Sequence, residues 1–119
     1  MAYVDGFVIP VNKARLDDYK DMSRKAGAIW RELGAREFRE CVGDDVKPGK
    51  LTSFPQSVIL EDGEVVVFSW IVYDSRARRD EINEKIMKDP RMAEFMKSEN
   101  LPFDGKRMIY GGFEVMVDL

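Results

Sequence analysis

A chain of 119 residues, 45% hydrophobic and 34% charged, has the composition of an ordinary globular domain with enough chain to bury a core. Its net charge of −3 and pI near 5.1 speak against a general binder of phosphate backbones, which presents a basic face. With no histidine and a single cysteine, Cys41, it has no Ser-His-Asp or Cys-His mechanism, no histidine-ligated zinc or haem, no thiolate cluster and no internal disulfide.

The opening stretch "MAYVDGFVIPV" lacks a basic leader and Asp5 breaks its apolar run, so no signal peptide is expected. Residues 2 to 10 alternate as a strand, with Val4, Gly6 and Val8 on one face and Tyr3, Asp5, Phe7 and Ile9 on the other; Pro10 should end it. Asn12 is a fitting N-cap for a helix from Lys13. Its stripe of Leu16, Tyr19, Met22, Ala26, Ile29 and Leu33 closes at Gly34, where a left-handed residue belongs. Residues 35 to 42 read as a second, more polar strand. The segment "GDDVKPGKLTSFPQ" reads as a long loop with a helical turn near Ser53. Asp62-Gly63 predicts a hairpin between a short arm, Val58 to Leu60, and a long strand, Glu64 to Tyr73. Ser75 should cap a helix carrying Ala77, Ile82 and Ile86. Asp89-Pro90 should restart a short one over "PRMAEFMK", and "SENLPFDGK" should be a loop before a last strand at 107 to 117.

The order predicts a single domain over residues 1–119, a ferredoxin-like βαββαβ sandwich of class α+β with a four-stranded antiparallel sheet. Helices on one face of such a sheet should leave the other polar. The long strand does not comply: Val65, Val67, Ile71 and Tyr73 point one way, and Val66, Phe68, Trp70 and Val72 the other. The second apolar face needs cover, and a symmetric homodimer, sheet against sheet, supplies it. The longest apolar run, "VVVFSWIVY", is far shorter than the roughly 20 residues of a membrane helix, so no membrane partner is expected. A lone cysteine fits a reducing, cytoplasmic setting.

The segments "YVDGFVIPV", "ECVGDDV", "VVFSWI", "KDPRM" and "PFDGKRMIYGGFE" resemble the YbaA-like family of small bacterial proteins of unknown function, across almost the whole chain. The two-faced sheet resembles the dimeric α+β barrel superfamily, which includes antibiotic-biosynthesis monooxygenases, muconolactone isomerase and haem-degrading members. The resemblance implies the barrel fold and a homodimer, and no particular reaction.

Polar residues inside strands are the candidates for chemistry. Without histidine, a general base would be a carboxylate whose pKa burial raises: Asp5, Glu40 or Glu114. Arg107 or Tyr110 would bind a developing enolate or a substrate carboxylate, with Ser69 as a further polar contact and Trp70 as an aromatic wall. Asp5, Glu40 and Arg107 are thus the catalytic candidates, and Trp70, Tyr110, Ser69 and Glu114 the ligand-binding ones. The structural alternative is an ion pair at a barrel rim, with the aromatics in a core or interface. Gly111-Gly112 reads as a bend, Cys41 as a filler, and "DSRARRDE" as a solvated face. The "GDDVKPGK" loop lacks EF-hand spacing, so no metal is expected, nor any other cofactor. RNA-recognition motifs share the element order, but "EVVVFSWIVYD" has neither the glycine nor the basic opening of their third strand, so no nucleic-acid partner is expected. The classes left open are a cofactor-free monooxygenase- or isomerase-like enzyme acting on a small hydrophobic or aromatic compound, a non-catalytic binder of such a compound, and a dimeric interaction module.

Overall fold

A computed structural model describes residues 1–97 and 101–119. Strand β1 (Tyr3–Asn12) leads through a 3₁₀ turn into helix α1 (Leu16–Leu33), then β2 (Glu37–Val42), a one-turn helix α2 (Phe54–Ser57), β3 (Glu64–Tyr73), α3 (Arg76–Lys88), α4 (Pro90–Met96) and β4 (Ile109–Glu114). The strands pair antiparallel in the order β2-β3-β1-β4, the arrangement of a ferredoxin-like α+β sandwich. Residues 98–100, part of the expected "SENLPFDGK" loop, lie outside the described residues.

Local chemistry fixes most boundaries. Asn12 accepts a hydrogen bond from the Ala14 N–H, Ser75 from Arg78 and Asp89 from Arg91, each at the helix start the sequence predicts. Gly34 ends α1 with φ 119°, a conformation that favours glycine. Three expectations need correction. β1 runs through Pro10 to Asn12; β4 pairs with β1 only as far as Val8, so a residue without an N–H is tolerated beyond it. Val58 to Leu60 is no hairpin arm. It follows α2 as a cap in which the Ile59 and Leu60 N–H groups donate to the carbonyls of Gln56 and Pro55, and Ile59 takes φ 49°. Val58 is wholly buried against Val8 and Val66, so this apolar run packs as a plug on the sheet rather than as a strand. The last strand spans six residues, with Arg107 before it and Val115 to Val117 beyond it.

The strand parities sort as the alternation requires. Ile9, Val11, Val67, Ile71 and Tyr73 are buried under α1 and α3, packed with Ile29, Ala35, Ile82 and Ile86. The opposite face carries Val4, Gly6, Phe68, Trp70, Val72 and Phe113. The Val58 plug covers only its end at Val8 and Val66, leaving Phe68 42% and Phe113 62% exposed around a hollow of about 630 Å³. An aromatic row, Phe54–Phe68–Trp70, with ring centroids 5.7 and 5.6 Å apart, crosses this open face.

Close packing of α1 on the sheet depends on Gly27: a Cβ there would lie 2.6 Å from the Phe38 ring. Alanine at an ordinary helix position gains about 1 kcal/mol over glycine. Here overpacking costs about 1–3 kcal/mol, so Gly27→Ala is expected to lower the thermal midpoint rather than raise it. A rise on thermal denaturation would show that Phe38 moves freely.

Candidate functional site

The helix-covered side of the sheet holds an apolar cavity of about 170 Å³ between β1, β2 and β3 and helices α1 and α4. Phe7, Ile71, Trp30, Phe38 and Phe95 form its walls, and its polar side carries Tyr19, Ser23, Glu40 and Ser69. The sequence brings these together by simple periodicities. Tyr19 and Ser23 are four residues apart on α1, and Glu40 lies opposite Ser69 in the β2–β3 register. The Tyr19 hydroxyl donates to Glu40 Oε2 at 2.8 Å.

Glu40 is an exposed residue of an edge strand, yet its carboxyl turns in against α1. Crowding there lifts it above the ordinary carboxylate value, against the opposing pull of the Tyr19 and Ser23 hydroxyls. The Ser23 hydroxyl is buried and closes no well-formed hydrogen bond, so Tyr19 supplies the stronger pull. Burial first, and then the charge of Glu40, hold the Tyr19 hydroxyl far above the usual phenol range. The pair is therefore a neutral donor beside a carboxylate whose affinity for a proton is raised. Beyond it, an outer cleft of about 380 Å³ opens between α1 and β2, with Lys20 and Arg24 on its rim.

Asp5 sits elsewhere on this face. It is 7% exposed and faces Arg79 Nη1 at 3.4 Å. Arg79 also donates to the Tyr3 hydroxyl at 3.2 Å and lies 4.8 Å from the centre of that ring. Tyr73 accepts from Trp30 Nε1 at 3.2 Å and donates to Asn83; burial, then the charge of Asp5, raise its pKa well above the phenol range. Arg79 was expected on a solvated face, but its side chain is only 20% exposed. Its neighbours Arg76 and Asp80 are the solvated ones, with side chains 72% and 59% exposed. Gly112 leaves room for this cluster, since a Cβ there would collide with the Tyr3 hydroxyl. A second groove, of about 730 Å³, runs from Asp5 and Arg79 past Met92 and Met96 and shares Phe7 and Trp30 with the inner cavity.

Arg107 lies apart from both. Its Nη1 and Nη2 donate to the two carboxylate oxygens of Glu64 at 2.8 and 2.7 Å, Nε donates to Asp104 at 2.9 Å, and Nη1 also reaches the Ile59 carbonyl at 3.0 Å. All of its nitrogens are engaged, and the geometry is that of a rim ion pair tying the segment before β4 to the turn before β3. The bonds from Arg107 hold Glu64 and Asp104 below the usual carboxylate range, in both cases outweighing the opposing effect of burial. A depressed folded-state pKa means that the unfolded chain binds more protons in acid. This contribution is therefore present above about pH 4 and is lost as the pH falls through the folded values. Arg107→Ala should be less stable than the parent at pH 7 and should show a shallower loss of stability between neutral pH and pH 3 in urea unfolding. Glu40 carries the opposite sign: its raised pKa favours the fold at low pH, and that contribution is lost as the pH rises through the folded value.

The other candidates divide between faces. Ser69 lines the inner cavity, while Trp70, one residue on, lies on the open face with its Nε1 donating to Glu37 at 3.4 Å. Tyr110 stacks against Phe7 at 6.1 Å and lines the second groove. Glu114 is exposed at the end of β4, opposite Tyr3, and lines none of these cavities. Of the seven candidates, then, Glu40 and Ser69 meet in the inner cavity, Asp5 and Tyr110 in the second groove, and Trp70 and Tyr110 on the open face. The sequence reading placed Tyr19 on the helix stripe but missed it as a site residue, along with Ser23 and Arg79. Polar residues recurring on the inward stripe of α1, Tyr19 and Ser23 at a spacing of four, were the available signal.

Comparison with known proteins places this geometry in a family. The chain is 52% identical over 118 residues, 99% of each chain, to the uncharacterised protein YbaA of Escherichia coli K12, and equally to that of Shigella flexneri. Its fold is shared by a dimeric ferredoxin-like protein from an uncultured marine organism, known from a crystal structure, with a TM-score of 0.58 at 10% identity over the full length of both chains. Residues 2–105 match the model of the family described as protein of unknown function, DUF1428. With that match and the full-length likeness to YbaA, this chain belongs to the DUF1428 family.

Proposed function

We propose that residues 1–119 act as one homodimeric unit that holds a small apolar molecule in the cavity under α1, with Glu40 as the group that takes a proton from it. The observation that carries this reading is the Tyr19–Glu40 pair on the polar side of an otherwise apolar cavity. An unpaired carboxylate crowded by apolar atoms costs free energy, and such groups concentrate at sites that use them. Glu40 as base, Tyr19 as a neutral donor and Ser23 and Ser69 as polar contacts would support proton abstraction from an activated C–H or O–H bond. That is the first step of cofactor-free isomerase or monooxygenase chemistry. Without turnover, the same cavity serves a binding protein.

The homodimer reading rests on the open sheet face, whose exposed Phe68, Ile109 and Phe113 form an apolar patch that a second copy would cover. A fold neighbour of this architecture is dimeric, which agrees with it. The cytoplasmic setting expected from the lone cysteine belongs to the same reading; no helix among the described residues is long and apolar enough to cross a membrane.

A ligand-observed NMR screen of single-ring aromatic fragments tests the cavity. Binders are expected, and Ala26→Phe, which fills the cavity from α1, should abolish their signals while leaving the fold intact by circular dichroism. An absence of binders, or binders indifferent to Ala26→Phe, would sink the reading. Glu40→Gln then separates the classes: an enzyme loses turnover on a bound substrate, whereas a binder changes only in affinity.

A further inference from the structure

The charges facing the cavity narrow what it can hold. We infer that it takes an uncharged or cationic single-ring aromatic molecule and excludes the corresponding carboxylate, an inference that rests on the cavity reading above.

Size comes first. A dry apolar cavity of about 150 Å³ accepts benzene, so about 170 Å³ suits one ring with a short substituent. Charge decides the rest. Glu40 is the carboxylate at the cavity wall, and its bonded partner is the neutral hydroxyl of Tyr19. Among the described residues, the cation that lines the cavity and the one in the adjoining groove each already have a carboxylate of their own. Arg39 borders the cavity with its side chain 61% exposed and paired with Glu37 at 3.3 Å. Arg79, past Phe7 and Trp30, is held between Asp5 at 3.4 Å and Asp80 at 3.0 Å. An entering carboxylate would therefore lose its water and meet Glu40 with no free cation on the cavity wall, among the described residues, to offset the repulsion. An ammonium would meet the same carboxylate favourably, with the Trp30 ring and the Met92 thioether as further favourable surfaces. A hydroxyl can donate to Glu40 or use the unpaired Ser23 hydroxyl. Lys20 and Arg24 stand in the outer cleft, exposed to water beyond the Tyr19–Glu40 pair, where screening weakens their pull on anything inside.

Benzylamine, benzyl alcohol and benzoate share a shape and differ in charge. Isothermal titration of the purified protein at neutral pH should give benzylamine and benzyl alcohol at least about tenfold tighter binding than benzoate. Glu40→Gln should weaken benzylamine by about tenfold, strengthen benzoate and leave benzyl alcohol nearly unchanged. Tyr19→Phe keeps the carboxylate and removes its donor, so it should tighten benzylamine, and it reports independently if Glu40→Gln misfolds. Benzoate binding as tightly as the alcohol would overturn the ligand class while leaving the cavity reading in place. Tight benzoate binding that Lys20→Ala or Arg24→Ala abolishes would likewise overturn it and assign acids to the outer cleft. Binding of none of the three would remove the cavity reading and this inference with it.

Discussion

Phe113→Glu is expected to convert the proposed dimer to a monomer without unfolding the chain. The Phe113 ring is 62% exposed in the single chain, so a carboxylate there meets water and costs the protomer little. It stands over β1 and β4 beside Gly6 and Gly111, where even a Cβ would meet the ring only at an ordinary contact distance of 3.7 Å. Pressed against a second sheet, the same position would bury an unpaired charge, at a cost of about 2–3 kcal/mol or more. Symmetry applies that cost twice, so the dimer dissociation constant should rise by about 10³- to 10⁴-fold. Size-exclusion chromatography with light scattering reads the mass, and circular dichroism the fold. A dimer that survives Phe113→Glu would place the interface elsewhere. Lys20→Glu, on the far side of the sheet, is the control that should leave the mass unchanged.

Asp5→Ala should lose about 3 kcal/mol of stability, which for a chain of this size lowers the thermal midpoint by about 10 °C. The reason is Arg79. With the carboxylate gone, a guanidinium 20% exposed keeps only Asp80 as a charged neighbour, and Arg79 Nε already lacks a well-formed hydrogen bond despite that neighbour. Breaking a buried pair costs more than replacing it whole, so Asp5→Ala combined with Arg79→Met should recover much of the loss. Asp5→Asn, which keeps an acceptor oxygen, should cost less than alanine. If Asp5→Ala melted close to the parent, Asp5 would not be structural, and the groove it shares with Arg79 would regain standing as a reaction site.

The fates of Asp5, Glu40 and Arg107 show why the fold was more legible than the site. A strand alternates with period two and a helix cap is read within four residues, so the faces of β1 and β3 and the caps at Asn12, Ser75 and Asp89 are local properties. The apolar run at Val58 to Leu60 misled because packing, not propensity, chose its conformation: Val58 is buried as a plug on Val8 and Val66.

The division between what the sequence determined and what the tertiary structure decided follows the reach of the interactions. By itself the sequence determined the order of the four main strands and the long helices, the presence of two apolar sheet faces, and the absence of histidine, which leaves the strand carboxylates as the candidate bases. It could not decide which carboxylate stands free. Tyr19 meets Glu40 across 21 residues of chain, Arg107 meets Glu64 across 43, and Arg79 meets Tyr3 across 76. Those contacts pair Asp5 with a cation, commit Arg107 to Glu64 and Asp104, and leave Glu40 with only a neutral hydroxyl, a difference set by which strands and helices the folded chain brings side by side.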